Sequence, residues 1–236
     1  MNYVFDVDGT LTPSRQPINE KFKEFFLNWM EGKEVYLVTG SDKEKTIEQV
    51  GEEIWNKCTR VYQSCGNAVY ENGKLIKEKV FKLDDELKFE LFTILAHSKI
   101  PEKWGNHIEE RPGLINFSTV GRNIPAERRP AYVKWDDKHK ERKSICKQLT
   151  NKFPKLDASI GGEISIDIHP KGQDKSQVVD DLVGPIMFFG DKCEEGGNDY
   201  PIVSRLHMEE EENKRQCIVH KVTRWEITKS ILEGLR

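Results

Sequence analysis

No stretch of this 236-residue chain is apolar over anything near the roughly 20 residues that a membrane-spanning helix needs, and its N-terminus shows no charged-then-apolar leader. No membrane partner is expected, and the cytoplasm is the expected compartment. Positive charge is not in surplus either. The chain has 37 Lys and Arg against 40 Asp and Glu, a net charge of -3, which gives no general attraction to nucleic acid. Cysteine is scarce and unpatterned. Cys58, Cys65, Cys146, Cys193 and Cys217 are odd in number and contain no Cys-x-x-Cys pair, so neither a disulfide framework nor a zinc site is indicated. Internal repeats and low-complexity linkers are missing as well. What remains is 36% hydrophobic and 33% charged, the composition of a globular protein. At this length it can bury a core and a smaller inserted domain.

The first third alternates strand and helix. An apolar strand over residues 3–5 precedes a segment in which Ile18, Phe22, Phe25, Phe26, Trp29 and Met30 share one helical face, with Gly32 as a stop. A second apolar strand over 34–38 ends in Thr39-Gly40-Ser41-Asp42, and Ser41 with Glu44 makes a capping-box pattern for a helix carrying Ile47, Val50 and Ile54. A third strand near 61–64 completes a βαβαβ start. The Asn72-Gly73 pair then predicts a hairpin. From about residue 80 the alternation breaks. A helix with Leu87, Leu91 and Leu95, strands at 107–109 and 114–120, a basic helix over 137–152 and strands at 157–160 and 163–168 follow one another. The core pattern resumes with a helix over 175–182, a strand over 186–189 running into Gly190-Asp191, a strand over 218–222 and a helix with Trp225, Ile227, Ile231 and Leu232. The expected fold is α/β: a doubly wound, Rossmann-like parallel sheet built from residues 1–79 and 173–236, with an α+β domain at 80–172 inserted over the carboxyl edge of the sheet. The acidic run 209–212 reads as a solvated face.

Chemistry concentrates at the strand ends, where ligands of such sheets bind. Asp6 and Asp8, in Asp6-Val7-Asp8-Gly9-Thr10, leave the first strand on the same side, and a divalent cation would relieve their mutual repulsion. One carboxylate can then attack phosphorus while the other handles protons. Thr39 and Ser41 offer hydroxyls and a helix N-terminus to phosphate oxygens, or serve only to cap that helix. Lys175 can neutralise a transferring phosphoryl group. Asp191, with Asn198 and Asp199, follows the later strand.

This set resembles the four motifs of the haloacid dehalogenase (HAD) superfamily of aspartate-nucleophile phosphotransferases. Three longer stretches, RPGLINFSTVGRN at 111–123, GGEISIDIHPKGQDKS at 161–176 and FFGDKCEEGGNDYPI at 188–202, resemble the eukaryotic-type phosphomannomutases with their C2b-like cap. The resemblance implies that Asp6 becomes an aspartyl-phosphate and that Asp8 is the general acid/base. It implies Mg²⁺ at Asp6, the carbonyl of Asp8 and Asp191, with Asp199 and Asn198 close by. It places the substrate-binding groups of the cap at Arg111, Arg122, Ser165 and Asp167. The implied reaction interconverts mannose 6-phosphate and mannose 1-phosphate through a hexose 1,6-bisphosphate, primed by glucose 1,6-bisphosphate or mannose 1,6-bisphosphate, for GDP-mannose and glycan synthesis. A homodimer through the cap domains is implied too. With water as acceptor the same core residues would make a sugar-phosphate phosphatase, and the cap arginines favour the mutase. Three positions depart from the family pattern: Trp104 stands where arginine is usual, Thr39 where glycine is common, and Cys193 where threonine is common. Trp104 is expected to stack on a sugar face or to leave its role to Lys103.

Overall fold

The computed structural model describes residues 1–235. Its first elements are β1 (Asn2–Phe5), α1 (Glu20–Trp29), β2 (Glu34–Val38), α2 (Lys43–Val50), α3 (Glu52–Lys57), β3 (Arg60–Gln63), β4 (Ala68–Glu71) and β5 (Lys74–Glu78). The middle adds α4 (Asp85–His97), β6 (Ile108–Arg111), β7 (Leu114–Phe117), α5 (Arg129–His139), α6 (Glu141–Lys152), β8 (Leu156–Gly161) and β9 (Ser165–Pro170). A 3₁₀ helix at Lys175–Asp181, β10 (Ile186–Gly190), α7 (Tyr200–Glu211), β11 (Cys217–Lys221) and α8 (Trp225–Gly234) complete the chain. Two compact units result. One comprises Met1–Glu78, Gln173–Glu195 and the chain from Asp199 onward, and the other Lys79–Gly172 with Gly196–Asn198. The short second piece belongs with the insertion because the backbone N–H of Ile160 donates to the Gly196 carbonyl.

In the first unit seven strands run in the order β11-β10-β1-β2-β3-β4-β5. The five from β11 to β3 are parallel, and β4 and β5 add an antiparallel edge. Apolar runs such as Ile186-Met187-Phe188-Phe189 suit strands covered on both faces. One face packs Phe5 and Phe189, stacked at 4.6 Å, against Phe22, Phe26 and Trp29 of α1. The other packs Val4 and Phe188 against Val178, Val179, Ile202 and Leu206. Because β1 lies between β2 and β10, the chain winds outward in both directions from it, and the carboxyl ends of these three strands form the switch point.

The second unit is a four-stranded antiparallel sheet in the order β6-β7-β9-β8. Ile115, Phe117, Ile166 and Ile168 form its apolar face and pack on Leu87, Leu91 and Ile94 of α4 and Ile145 and Leu149 of α6.

Several local expectations change. Asp42, not Ser41, caps α2, because its Oδ1 accepts from the Lys45 N–H at 3.0 Å. Gly51, at φ +83°, splits the expected single helix into α2 and α3. The basic helix is two helices, broken where Lys140 takes a left-handed φ of 54°. The segment after Asp174 is 3₁₀, wound tightly from its start by the Asp174 carboxylate, which accepts from the N–H and hydroxyl of Ser176 at 2.8 and 2.5 Å. In the acidic run, Glu209 is not solvated: it is 4% exposed and meets Arg205 at 2.9 Å and Arg215 at 2.5 Å.

Candidate active site

The parallel ladder continues one residue past β1, where the Asp6 N–H donates to the Phe189 carbonyl at 2.9 Å. This holds the Asp6 side chain at the carboxyl edge, 4% exposed. Gly9 follows at φ +82°, a backbone that side chains resist, and a Cβ there would strike the Asp191 carboxylate. Thr10 is fully buried and donates its hydroxyl to Asp6 Oδ2 at 3.3 Å. Lys175 enters from the start of the 3₁₀ helix with no exposed surface, and its Nζ donates to Asp6 Oδ1 and Asp199 Oδ1, both at 2.6 Å. Asp199 is fixed in turn by the Lys192 N–H, which donates to its Oδ2 at 2.9 Å. Carboxylate oxygens of Asp6, Asp191 and Asp199 all lie within 4.8 Å of one another.

Three carboxylates therefore share one ammonium. Burial works against the charge of Lys175, yet Asp199 and Asp6 outweigh it and hold its pKa well above the usual lysine value. The surplus negative charge falls on the other two groups. Burial, then the charges of Asp199 and Asp191, push Asp6 well above the ordinary carboxylate range against the pull of Lys175. Burial, then Asp199, raise Asp191 to about 6. A site so arranged suits a divalent, oxygen-seeking cation.

Asp8 stands apart from this cluster. Its Oδ1 accepts from the Arg15 N–H at 2.7 Å and from Gln49 Nε2 at 3.0 Å, so its carboxylate is not one of the converging metal donors. Thr39 and Ser41 are buried at the end of β2, 1% and 7% exposed, where the Ser41 N–H donates to Thr39 Oγ1 at 3.1 Å. With Asp42 taking the cap, the Ser41 hydroxyl is released from that task. Cys193 is buried and donates its thiol to the Gly190 carbonyl at 3.3 Å, which ties the loop after β10 back on itself.

In the second unit, register assembles a polar row across the sheet. Glu109 on β6 pairs with Asn116 on β7, Asn116 with Asp167 on β9, and Asp167 with Ser159 on β8. Arg111 and Ser165 lie two residues from row members and so share this face. Asn116, 2% exposed, donates its Nδ2 to Asp167 Oδ1 at 2.6 Å, and its Oδ1 accepts from Arg122 at 2.7 Å. Glu109 joins Arg111 at 3.0 Å and Arg122 at 2.6 Å. Ser165 donates to the Gly161 carbonyl at 3.5 Å. Gly161 is small of necessity, since a Cβ there would enter the Asp167 carboxylate.

Two outcomes in this unit differ from expectation. Trp104 stands in an apolar cluster and not in the polar row: it packs with Val120, Ile124, Tyr132, Ile164 and Trp135. A third arginine, Arg129, stands near Arg122 and is not among the residues expected in this unit. Its Nε is buried without a hydrogen-bond partner among the described residues. Burial, then Arg111, and also Arg129 press the Arg122 pKa downward. The Arg128-Arg129-Pro130 run opening α5 was the available signal.

A family model for eukaryotic phosphomannomutase matches residues 22–234. A phosphomannomutase of Dendrobium officinale is 38% identical over 233 residues, 92% of each chain, and one of Triticum aestivum is 40% identical over 209 residues, 84% of each. In three dimensions, a haloacid dehalogenase-like hydrolase from Bacteroides thetaiotaomicron superposes with a TM-score of 0.61 over 99% of this chain and 98% of that one, at 14% identity, a likeness of fold.

Proposed function

The chain belongs to the eukaryotic phosphomannomutase family and has a HAD-type fold, and on that premise we propose that it interconverts mannose 6-phosphate and mannose 1-phosphate at Asp6. A carboxylate oxygen of Asp6 attacks phosphorus, the P–O ester bond breaks, and the departing sugar oxygen takes a proton from Asp8. In the return step a hydroxyl of the sugar attacks the aspartyl-phosphate and gives its proton to Asp8. Lys175 stays protonated throughout, next to the negative charge that gathers on the phosphoryl oxygens. A magnesium ion held by Asp6, Asp191 and the Asp8 carbonyl, beside Asp199, would offset the surplus charge of the cluster and polarise the phosphoryl oxygens. Thr39 and Ser41 bind phosphate oxygens. Glucose 1,6-bisphosphate or mannose 1,6-bisphosphate supplies the first phosphate, the sugar reorients as a 1,6-bisphosphate, and the product feeds GDP-mannose and glycan synthesis.

One observation carries the mutase over a sugar-phosphate phosphatase: Arg111 and Arg122 meet on Glu109, Arg129 stands near Arg122, and Asn116 links Arg122 to Asp167. A bisphosphorylated sugar has a second phosphate to hold while Asp6 works on the first, and guanidinium forks suit that task. Asp167 and Ser165 would bond the sugar hydroxyls between the phosphates. Residues 80–172 thus form the substrate-binding domain, and residues 1–79 with 173–236 the catalytic one.

A homodimer through the inserted unit fits α4, which exposes Phe89 at 72% and Phe92 at 51%, one helical turn apart. No helix among the described residues is long and apolar enough to cross a membrane. The five cysteines form no disulfide, which suits a reducing compartment such as the cytoplasm.

The test incubates protein, Mg²⁺ and mannose 1-phosphate with and without glucose 1,6-bisphosphate and records mannose 6-phosphate and inorganic phosphate together. Isomer that requires the bisphosphate and disappears in Asp6→Asn establishes the mutase, whereas phosphate without isomer replaces it with the phosphatase.

A further inference from the structure

Gln49 lies on α2, 3% exposed, and spends both hydrogens of its amide on the turn after β1: Nε2 donates to Asp8 Oδ1 at 3.0 Å and to Thr12 Oγ1 at 3.1 Å. Its Oε1 is buried with no hydrogen-bond partner among the described residues. A buried amide with an orphaned oxygen would normally turn over to find a donor. Here turning over would set an oxygen against the Asp8 carboxylate, so the amide is held the costly way round by Asp8. The main chain reinforces the arrangement, because the Ile18 N–H donates to the Gln49 carbonyl at 2.7 Å and ties α2 to the segment that leaves the turn.

Among the described residues both hydrogen bonds to Asp8, from Gln49 and from the Arg15 N–H at 2.7 Å, fall on Oδ1, and none falls on Oδ2. The two oxygens of one carboxyl group are thereby made unequal. We propose that Gln49 is a positioning residue that clamps Asp8 by Oδ1 and so assigns Oδ2 as the oxygen that gives and takes the proton during phosphoryl transfer. Without Gln49 only the Arg15 N–H holds Oδ1, the carboxyl group turns about that single hydrogen bond, and Oδ2 no longer waits where the sugar oxygen departs. Gln49 touches neither substrate nor phosphorus, and its effect passes wholly through Asp8.

The inference rests on the acid/base role of Asp8 in the proposed reaction, and leaving-group chemistry isolates it. When the sugar ester bond breaks, the departing alkoxide needs the Asp8 proton. When 2,4-dinitrophenyl phosphate transfers its phosphoryl group to Asp6, the dinitrophenolate leaves as a stable anion and needs none. Gln49→Met keeps the length of the side chain and removes both donors. In the Mg²⁺-loaded enzyme it is expected to lower kcat with mannose 1-phosphate by roughly a hundredfold, the scale of general acid catalysis, while the pre-steady-state burst of dinitrophenolate stays within about threefold of wild type. Asp8→Asn should show the same selectivity at larger amplitude. Thr12→Ala, which frees the amide from its second anchor, should show it at smaller amplitude and serves if Gln49→Met does not fold. Equal loss with both substrates makes Gln49 merely structural and overturns the proposal, as does no loss with either. If wild type releases phosphate and makes no isomer, the mutase reading fails separately, and the selectivity is then read from phosphate release against the burst.

Discussion

Lys175 and Asp6 are 169 residues apart in the chain and 2.6 Å apart in the fold, joined by a salt bridge with no water-exposed surface on the lysine. The same ammonium reaches Asp199 at the same distance. The proposed nucleophile, its counter-charge and the candidate metal cluster are therefore a single electrostatic unit.

Removing the cation should cost both stability and rate. Lys175→Met leaves Asp6 and Asp199 facing each other in the interior, and breaking a buried pair in this way costs about 3–5 kcal/mol. A fall in kcat of at least about a hundredfold accompanies it. Urea unfolding and the isomer assay check both, and a variant as stable as wild type would contradict the buried pairing.

The metal-free protein should lose stability as pH rises. The folded pKa of Asp191 is about 6 against an ordinary 3.8, so the folded state binds more protons than the unfolded chain between these values. The stabilisation is complete below about pH 4 and is lost as pH climbs through about 6, an effect on the order of 3 kcal/mol. Thermal melts in EDTA, taken as wild type minus Asp191→Asn, should show this slope, and Mg²⁺ at pH 7 should reverse it. A difference that rises with pH would refute the crowding of carboxylates.

Gly9 should tolerate no side chain. Gly9→Ala meets a left-handed φ and the Asp191 carboxylate together. We expect about 1–3 kcal/mol of destabilisation and a weaker rise in Tm on adding Mg²⁺. An unchanged Mg²⁺ response would separate Gly9 from the metal cluster.

Breaking the polar row of the second unit should affect binding before chemistry. Asn116→Leu strands Asp167 and one arm of Arg122. KM for mannose 1-phosphate should rise about tenfold, the worth of one hydrogen bond to a charged group, with a smaller change in kcat. A fall in kcat at constant KM would argue against the substrate-binding role of this row.

Phe92→Glu should give a monomer, since a charge at an exposed apolar position opposes burial against a second copy. Sedimentation reads the mass, and the dinitrophenolate burst checks that the core is intact. A dimer that survives the substitution moves the interface elsewhere.

Local pattern was enough for the elements whose cause is local. The apolar run before Asp6, the Asn72-Gly73 hairpin with both residues at positive φ, and the apolar strand ending in Gly190-Asp191 all rest on side-chain periodicity and turn chemistry within a few residues. The candidate nucleophile, the acid/base and the lysine were legible for the same reason, as motifs on strand and helix ends. Helix α7 was not, because its buried Ile202, Val203 and Leu206 sit between a proline and a glutamate run that read as solvated chain. Gln49 was invisible as a single polar residue within a helical stretch, and the Arg128-Arg129-Pro130 run marks Arg129 only as the opening of a helix.

What tertiary structure alone decided is partnership. Which carboxylate joins the cation site, which one Gln49 holds, and which arginine Asn116 ties to Asp167 depend on register between strands and on helices packed from distant segments. The physical reason is that a buried charge is tolerable only beside its complement. The sequence by itself determined that charges of these kinds stand at the ends of buried strands; only packing could bring each complement to within hydrogen-bond reach.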